Sequence, residues 1–408
     1  ARRGLRIGRR LYDRRKRLCL QLGLKGIVFG GRLPGLSKRM RQYGSAEAYV
    51  AAVKEGKARD LTLSFQLSNQ FEVIGVLPDY LASDHESLGY AAHLVWRNPS
   101  FSDHPAIRTA QRTGDLPAAV RVATVQYQQR RIKSFEEFAT QIEYFVDIAA
   151  DYRSDFVVFP ELITLQLLSI ENKPLSPSDS IRTLTKYTNQ YRDLMHKLAV
   201  SYNINIIGGS HPTQMDDGDI HNICYVALRD GSLHEREKIH PTPNEVHWWK
   251  IAGGDAAEAI PTDCGPIGVM ICYDSEFPEL ARHLVDQGAM ILFVPYCTDV
   301  RQGHLRVRYC CQARAVENQV YVVTSGNVGN LPGVNNFDIQ YAQSCIITPC
   351  DFPFPPEGIA AEASAQVEQM LFADLDLAAL LEARRNGTVK NLVDRRPGLY
   401  AQWRGETP

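Results

Sequence analysis

The chain has 408 residues, 44% hydrophobic and 22% charged, with a formal net charge of −1, which is the make-up of a soluble globular protein long enough for two domains. So balanced a charge excludes a global field that would draw nucleic acid or a membrane surface, and the longest apolar run, around residues 290–294, is far short of the roughly 20 residues a membrane span needs. Nine cysteines, an odd number scattered mostly through apolar stretches, point to reduced thiols in a cytoplasmic setting. With no C-x-x-C pair and no clustered His/Cys spacing, neither a disulfide framework nor a metal is expected.

In chain order, residues 8–22 set Leu11, Tyr12, Leu18, Cys19 and Leu22 at helical spacings among Arg and Lys, which predicts a basic amphipathic helix. The chain starts at Ala1 without Met, inside this basic stretch and without the apolar centre of a signal peptide, so upstream sequence is expected. A strand at 26–29, a loop rich in Gly and Pro (Gly30, Gly31, Pro34, Gly35), a helix at 46–54 and strand-like runs at 61–67, 71–77 and 89–96 make a small mixed α/β unit over residues 1–97. Residues 98–118, rich in Pro, Ser, Asp, Thr and Gly, read as a linker.

From 119 to 385 short β-rich runs alternate with helical patterns. Strands are expected at 120–126, 156–159, 204–208, 224–228, 267–271, 290–294 and 320–325, and helices at 134–152, 181–202, 278–287 and 307–317. Such alternation implies layered α/β structure. The tail, 386–408, is polar and expected to be loosely attached.

Three residues at strand ends carry chemical potential. Cys272 closes the apolar run Gly268-Val269-Met270-Ile271 and precedes Pro278, which is placed to open a helix; a thiol on a strand-to-helix turn stands clear of the sheet beside free backbone N–H groups. Glu161 follows Phe156-Val157-Val158-Phe159-Pro160 at the carboxyl end of a buried strand, the edge where α/β proteins build sites. Lys238 follows the hairpin-like Leu228-Arg229-Asp230-Gly231-Ser232. Taken singly, each has an ordinary reading: a buried thiol, a loop-capping carboxylate, a solvated charge.

Together, in this order, they resemble the nitrilase superfamily of carbon–nitrogen hydrolases. Phe159-Pro160-Glu161-Leu162 is similar to its glutamate motif, and Arg236-Glu237-Lys238-Ile239-His240-Pro241-Thr242-Pro243-Asn244-Glu245 to its lysine motif with a second glutamate. Ile271-Cys272-Tyr273-Asp274-Ser275-Glu276-Phe277-Pro278-Glu279 is similar to its cysteine motif. Ala313-Arg314-Ala315-Val316-Glu317-Asn318 and Val322-Val323-Thr324-Ser325-Gly326-Asn327 extend the likeness over about 265 residues. The resemblance implies a four-layer α-β-β-α sandwich and a homodimer or higher homo-oligomer. It also implies cofactor-free hydrolysis of a small amide by water through a thioester on Cys272. In that scheme Glu161 is base and then acid, Lys238 and the backbone N–H of Tyr273 hold the oxyanion, and Glu245 sits beside them. Nitrile, N-carbamoyl and acyl-transfer chemistry use the same groups, and a non-catalytic binding or regulatory module that keeps the fold is the alternative from another class. His240, His247 and His304 are not needed by this scheme. Trp248 and Trp249 are candidates for a pocket wall or a surface contact, and Cys297, also at a strand end, lacks the elbow and the motif.

In the first unit, Arg3-Gly4-Leu5-Arg6-Ile7-Gly8 resembles the coenzyme A loop of Gcn5-related N-acetyltransferases, with Arg6 where that family has a middle glycine. A partial acetyltransferase-like α/β domain is implied, with acetyl-CoA as its ligand and Arg3, Gly4 and Gly8 at the pyrophosphate.

Overall fold

The computed structural model of the protein describes residues 7–21, 24–98, 116–171, 175–332, 339–403 and 405, in two units, Ala1–Gln111 and Arg112–Pro408. Among the described residues, no helix is long and apolar enough to cross a membrane.

The first unit runs α1 (Ile7–Gln21), β1 (Gly26–Arg32), α2 (Leu36–Tyr43), α3 (Ala46–Lys54), α4 (Leu61–Ser68), β2 (Glu72–Leu77) and β3 (Ala91–Arg97), with an antiparallel sheet in the order β1-β3-β2. Its core gathers Leu33, Leu36, Tyr49, Val50, Leu63, Phe71, Leu94 and Trp96. Residues 61–67, whose alternating leucines read as a strand, are instead helix α4. The Asp60 carboxylate accepts from the N–H groups of Thr62 and Leu63 at 3.0 and 3.1 Å and starts a helix there, and capping outweighs an alternation that leaves Leu61 and Phe65 exposed. Helix α2 has no counterpart in the sequence reading, because its residues are mainly basic and polar; Gly44, with φ 76°, ends it by donating to the Met40 carbonyl.

The second unit is built on period-two strands. In β4 (Ala119–Gln129), Val120 and Val122 point into one core while Ala123, Val125 and Tyr127 point into another. The same split recurs in β5 (Phe156–Val158), β6 (Asn205–Ile207) and β8 (Ile220–Ala227). The second of these cores lies under α5 (Phe135–Asp151) and α7 (Thr188–Tyr202). Helix α5 is capped by Ser134 and buries Phe138, Ile142, Phe145, Val146 and Ala149 at helical spacing. Ahead of α7, helix α6 (Pro177–Leu184) and a tight turn divide what the sequence reads as one helical region.

The other core lies between two halves of a hydrogen-bonded path ordered β10-β8-β6-β5-β4-β13-β12-β11. Of that path, β10 is Ile251–Ala252, β11 Ile267–Val269, β12 Ile291–Tyr296 and β13 Tyr321–Gly329; off it, β7 (His211–Gln214) and β9 (Leu233–Glu237) pair with β8, β16 (Gln369–Asp376) with β4, and β14 (Cys345–Ile347) with β13 and β15 (Ile359–Glu362). Among the described residues the halves pair where residues 327–329 of β13 meet residues 127–129 of β4, and the Thr124 and Ser325 hydroxyls add hydrogen bonds to the Thr324 and Val125 carbonyls. They face each other through Phe156 and Phe293, ring centroids 5.1 Å apart. Helices α8 (Pro278–Asp286) and α9 (Arg301–Asn318) cover the second half, so four layers result: helix, sheet, sheet, helix. Helix α9 starts six residues before the expected 307, because its first turns are polar and carry no apolar period.

The tail is not loose over most of its length. From α10 (Leu377–Asn386), Arg384 donates to the Gln319 carbonyl at 2.9 Å, the Gln319 amide donates to the Val389 carbonyl at 3.2 Å, and Arg395 pairs with Asp286 at 2.6 Å. Its polar residues find fixed partners, although none of the described residues from Asn386 onward, α11 (Pro397–Trp403) included, is buried.

Candidate active site

Glu161 after β5, Lys238 after β9, Glu245 on the turn beyond it and Cys272 after β11 come from four segments and gather in one buried cluster. Glu161 leaves β5 through Phe159-Pro160, and its backbone is clamped from three sides. The Glu161 carbonyl accepts from the Asn327 amide at 2.6 Å, the Leu162 N–H donates to Ser210 Oγ at 2.9 Å, and Leu162 itself is left-handed at φ 54°. Across from it Gly209, at φ 69°, lies so near that a Cβ there would collide with the Pro160 carbonyl oxygen. Lys238 ends the β8–β9 hairpin, its N–H donating to the Asn222 carbonyl at 2.8 Å. Glu245 opens the helical turn Glu245–Trp249 with a reciprocal cap: the Thr242 N–H donates to its Oε2 at 2.7 Å, and its own N–H donates to Thr242 Oγ1 at 3.3 Å.

Lys238 Nζ donates to Glu161 Oε1 and to Glu245 Oε2, each at 2.7 Å. All three side chains are buried, with Lys238 only 1% exposed. A lysine so enclosed stays charged because two carboxylates outweigh its desolvation, and its pKa is held well above the ordinary value. Glu161 moves the opposite way for a carboxylate that has a cation beside it. It is raised to about 7, because burial pushes it up, Lys238 pulls it down, Glu245 pushes it up, and hydrogen bonds from Lys238 and Cys272 lower it. A carboxyl group titrating there is suited to exchange protons near neutrality.

Cys272 follows β11 on a sharp turn and has a left-handed backbone, φ 51°. Asp274 fixes this elbow: it accepts from the Ile271 N–H at 3.0 Å through one oxygen and from the His240 N–H at 2.8 Å through the other. The nucleophile candidate and the lysine loop are thereby tied together. Burial, and then Glu161, push the thiol well above its ordinary pKa. Tyr273 places its ring edge-on to Phe277 at 4.9 Å. The first bond of its turn runs from the Asp274 N–H to the Ile271 carbonyl, so that turn does not consume the Tyr273 N–H.

The other residues singled out in the sequence have partners of their own. His240 stacks on Phe277 at 3.7 Å and bonds Asp274; His247 packs against the exposed Trp248; Trp249 leans on the α5–α7 core. His304 is buried between Tyr296 and Tyr341, and burial lowers it to about 4. Cys297 is closer: its carbonyl lies 3.8 Å from the Cys272 thiol, and its own thiol donates to Gln340 Oε1 at 3.0 Å. Asn222, Asp274, Ser210 and Gly209 were missed. Asp274 and Asn327 sat inside quoted motifs, while Asn222, mid-strand, gave no signal. Of the coenzyme A loop, Arg3 and Gly4 lie outside the described residues, and Gly8 is in the first turn of α1, where a Cβ would meet the Phe65 ring at 3.2 Å. Among the described residues, no group of three or more His, Cys, Asp or Glu is placed to hold a metal ion.

A model of the carbon-nitrogen hydrolase family matches residues 121–385, which contain the whole of this site. The chain belongs to that family. Probable hydrolase YhcX of Bacillus subtilis (strain 168) is 48% identical over 398 residues, 98% of this chain and 76% of that protein, so its match takes in most of the first unit as well. Omega-amidase NIT2 of Mus musculus is 27% identical over 288 residues, covering 69% of this chain and 96% of itself. The crystal structure of Saccharomyces cerevisiae Nit3, a member of branch 10 of the nitrilase superfamily, is similar at a TM-score of 0.55 and 26% identity, over 66% of this chain and 94% of its own. A carbon-nitrogen hydrolase from Helicobacter pylori G27 shares the fold at a TM-score of 0.60 and 21% identity, over 70% of this chain and 98% of its own. The hydrolase is thus an enzyme of the nitrilase superfamily acting on carbon–nitrogen bonds.

Proposed function

We propose that the hydrolase cleaves a small carboxamide through a thioester on Cys272. The observation that carries this reading is the Lys238 ammonium, fully buried and 2.7 Å from both Glu161 and Glu245. Two of its three N–H donors are taken by the carboxylates, and the third is left for the oxygen of a tetrahedral intermediate, with the Tyr273 N–H as second donor. Glu161 takes the proton of the Cys272 thiol as sulfur attacks the carbonyl carbon, and returns it to the departing amine or ammonia. It then takes a proton from water, which attacks the thioester; the acid leaves, and Glu161 returns the proton to the expelled Cys272 sulfur. Glu245 keeps Lys238 in place and balances its charge. Relatives that are omega-amidases support an amide as substrate over a nitrile.

The test is incubation with a panel of amides, ammonia assay, and intact-protein mass spectrometry. Turnover with an adduct that Cys272→Ala abolishes is expected; neither turnover nor adduct across the panel would overturn the reading. An added amine acceptor separates hydrolysis from acyl transfer. For the first unit, acetyl-CoA is proposed as ligand on the Arg3, Gly4 and Gly8 pattern alone, and equilibrium dialysis against acetyl-CoA decides it, absence of binding removing the idea. A homodimer or larger homo-oligomer is proposed from the family resemblance, and light scattering giving a monomer mass would contradict it.

A further inference from the structure

Asn222, on β8, touches all three ionisable partners. Its carbonyl accepts from the Lys238 N–H at 2.8 Å, and its Nδ2 donates to Glu161 Oε1 at 3.0 Å and to Glu245 Oε1 at 3.3 Å. Lys238 Nζ also ends on Glu161 Oε1. Both donors therefore gather on one oxygen of Glu161 and leave its Oε2 to neither.

The carboxamide has one tolerable orientation. Turned over, its oxygen would face two carboxylates with no proton between. As it stands, Asn222 Oδ1 is buried with no hydrogen-bond partner among the described residues. Buried acceptors are normally paired, so this one records that the carboxylates, not the amide's own needs, set the orientation. Asn222 is itself inaccessible to solvent and lies too deep to be a solubilising surface group.

We infer that Asn222 is a positioning residue for the hydrolysis: by holding Glu161 Oε1 toward Lys238, its carboxamide keeps Oε2 turned to the Cys272 thiol. This rests on the reading of Glu161 as the base. The charged and titratable groups facing Glu161 are Lys238 at the end of β9, Glu245 on its helical turn, Cys272 on its elbow and Cys297 after β12. Without the Asn222 donors the ionised form of Glu161 loses a hydrogen bond while Glu245 still repels it, so it holds its proton to higher pH.

The experiment compares full-length wild type with Asn222→Leu, close in size but without donors, and Asn222→Asp, which adds a third carboxylate. Two readouts run from pH 5 to 9: kcat and KM on an amide from the panel, and the rate of Cys272 alkylation by iodoacetamide, which needs no known substrate. Asn222→Leu is expected to lower kcat roughly 10- to 100-fold, as removal of an orienting group does, with KM little changed. The acid limb of both profiles should move up by about one pH unit, and further in Asn222→Asp. A merely structural role would reduce the active fraction and leave both KM and the limb where they are. A wild-type limb and kcat in Asn222→Leu would overturn the inference. Should that variant not fold, Asn222→Ser, with one donor, is read the same way and should shift the limb part-way. Glu161→Gln serves as the separate control: retention of its activity and limb would remove the reading of Glu161 as base, whereas a dead Glu161→Gln beside an unshifted Asn222→Leu removes only the role of Asn222.

Discussion

Two cysteines stand at neighbouring strand ends and share nearly everything except the backbone beneath them. Cys272 follows β11 and Cys297 follows β12; burial and then Glu161 push both thiols well above the ordinary range. The Cys272 residue, however, is left-handed, a conformation costing on the order of 1–3 kcal/mol for a non-glycine residue. It is held there by Asp274 on the Ile271 N–H and by Ser275 Oγ donating to the Cys272 carbonyl at 2.7 Å. Cys297 has no such elbow and spends its thiol on Gln340. Burial and charge do not tell the proposed nucleophile from its neighbour; the left-handed, well-anchored backbone at Cys272 does.

The largest effect expected of this comparison is kinetic. Cys272→Ala should lose on the order of 10⁴-fold or more in kcat, whereas Cys297→Ala should keep most of the activity in the same ammonia assay. Equal losses would erase the distinction. Next comes the cation that both thiols feel. Lys238→Met leaves Glu161 and Glu245 buried without it and should cost about 3–5 kcal/mol in denaturant unfolding; wild-type stability would show that the cluster is not held by that charge.

The pH dependence sharpens the pair further. With Glu161 titrating at about 7, kcat/KM and the alkylation of Cys272 should rise through that pH. Because the folded value lies above the ordinary carboxylate value of 4.5, the folded state keeps a proton that the unfolded chain releases. That contribution to stability is fully present below about pH 4.5 and is lost as pH rises through about 7. Glu161→Gln should remove this slope, and an unchanged slope would assign it to another group. The smallest effect is geometric. Gly209→Ala forces a Cβ against the Pro160 carbonyl and should destabilise by about 1–3 kcal/mol. It should slow Cys272 alkylation by shifting Glu161, and an equal slowing at Cys297 would show a general loosening.

Much of this was legible in the sequence, for identifiable reasons. The strand ends bearing Glu161 and Cys272 are marked by apolar runs that stop abruptly, whereas Lys238 ends the charged strand Leu233–Glu237 and stands out only through its motif; Pro278 opens a helix, as a proline at the first position does. Local capping and tertiary pairing were less visible. Leu61, Leu63, Phe65 and Leu67 alternate as a strand would, and only the Asp60 cap shows otherwise. The tail is polar by composition, yet Arg395 finds Asp286 109 residues away in sequence. Asn222 escaped notice because a single amide mid-strand has no spacing to read; its meaning exists only once β5 and the lysine loop are folded around it.

The most direct measurement is intact-protein and peptide mass spectrometry of the hydrolase quenched in acid during turnover of an amide. The account predicts one acyl group, on Cys272, absent from Cys272→Ala and absent from Cys297. An acyl group on Cys297, or turnover undiminished in Cys272→Ala, would contradict it.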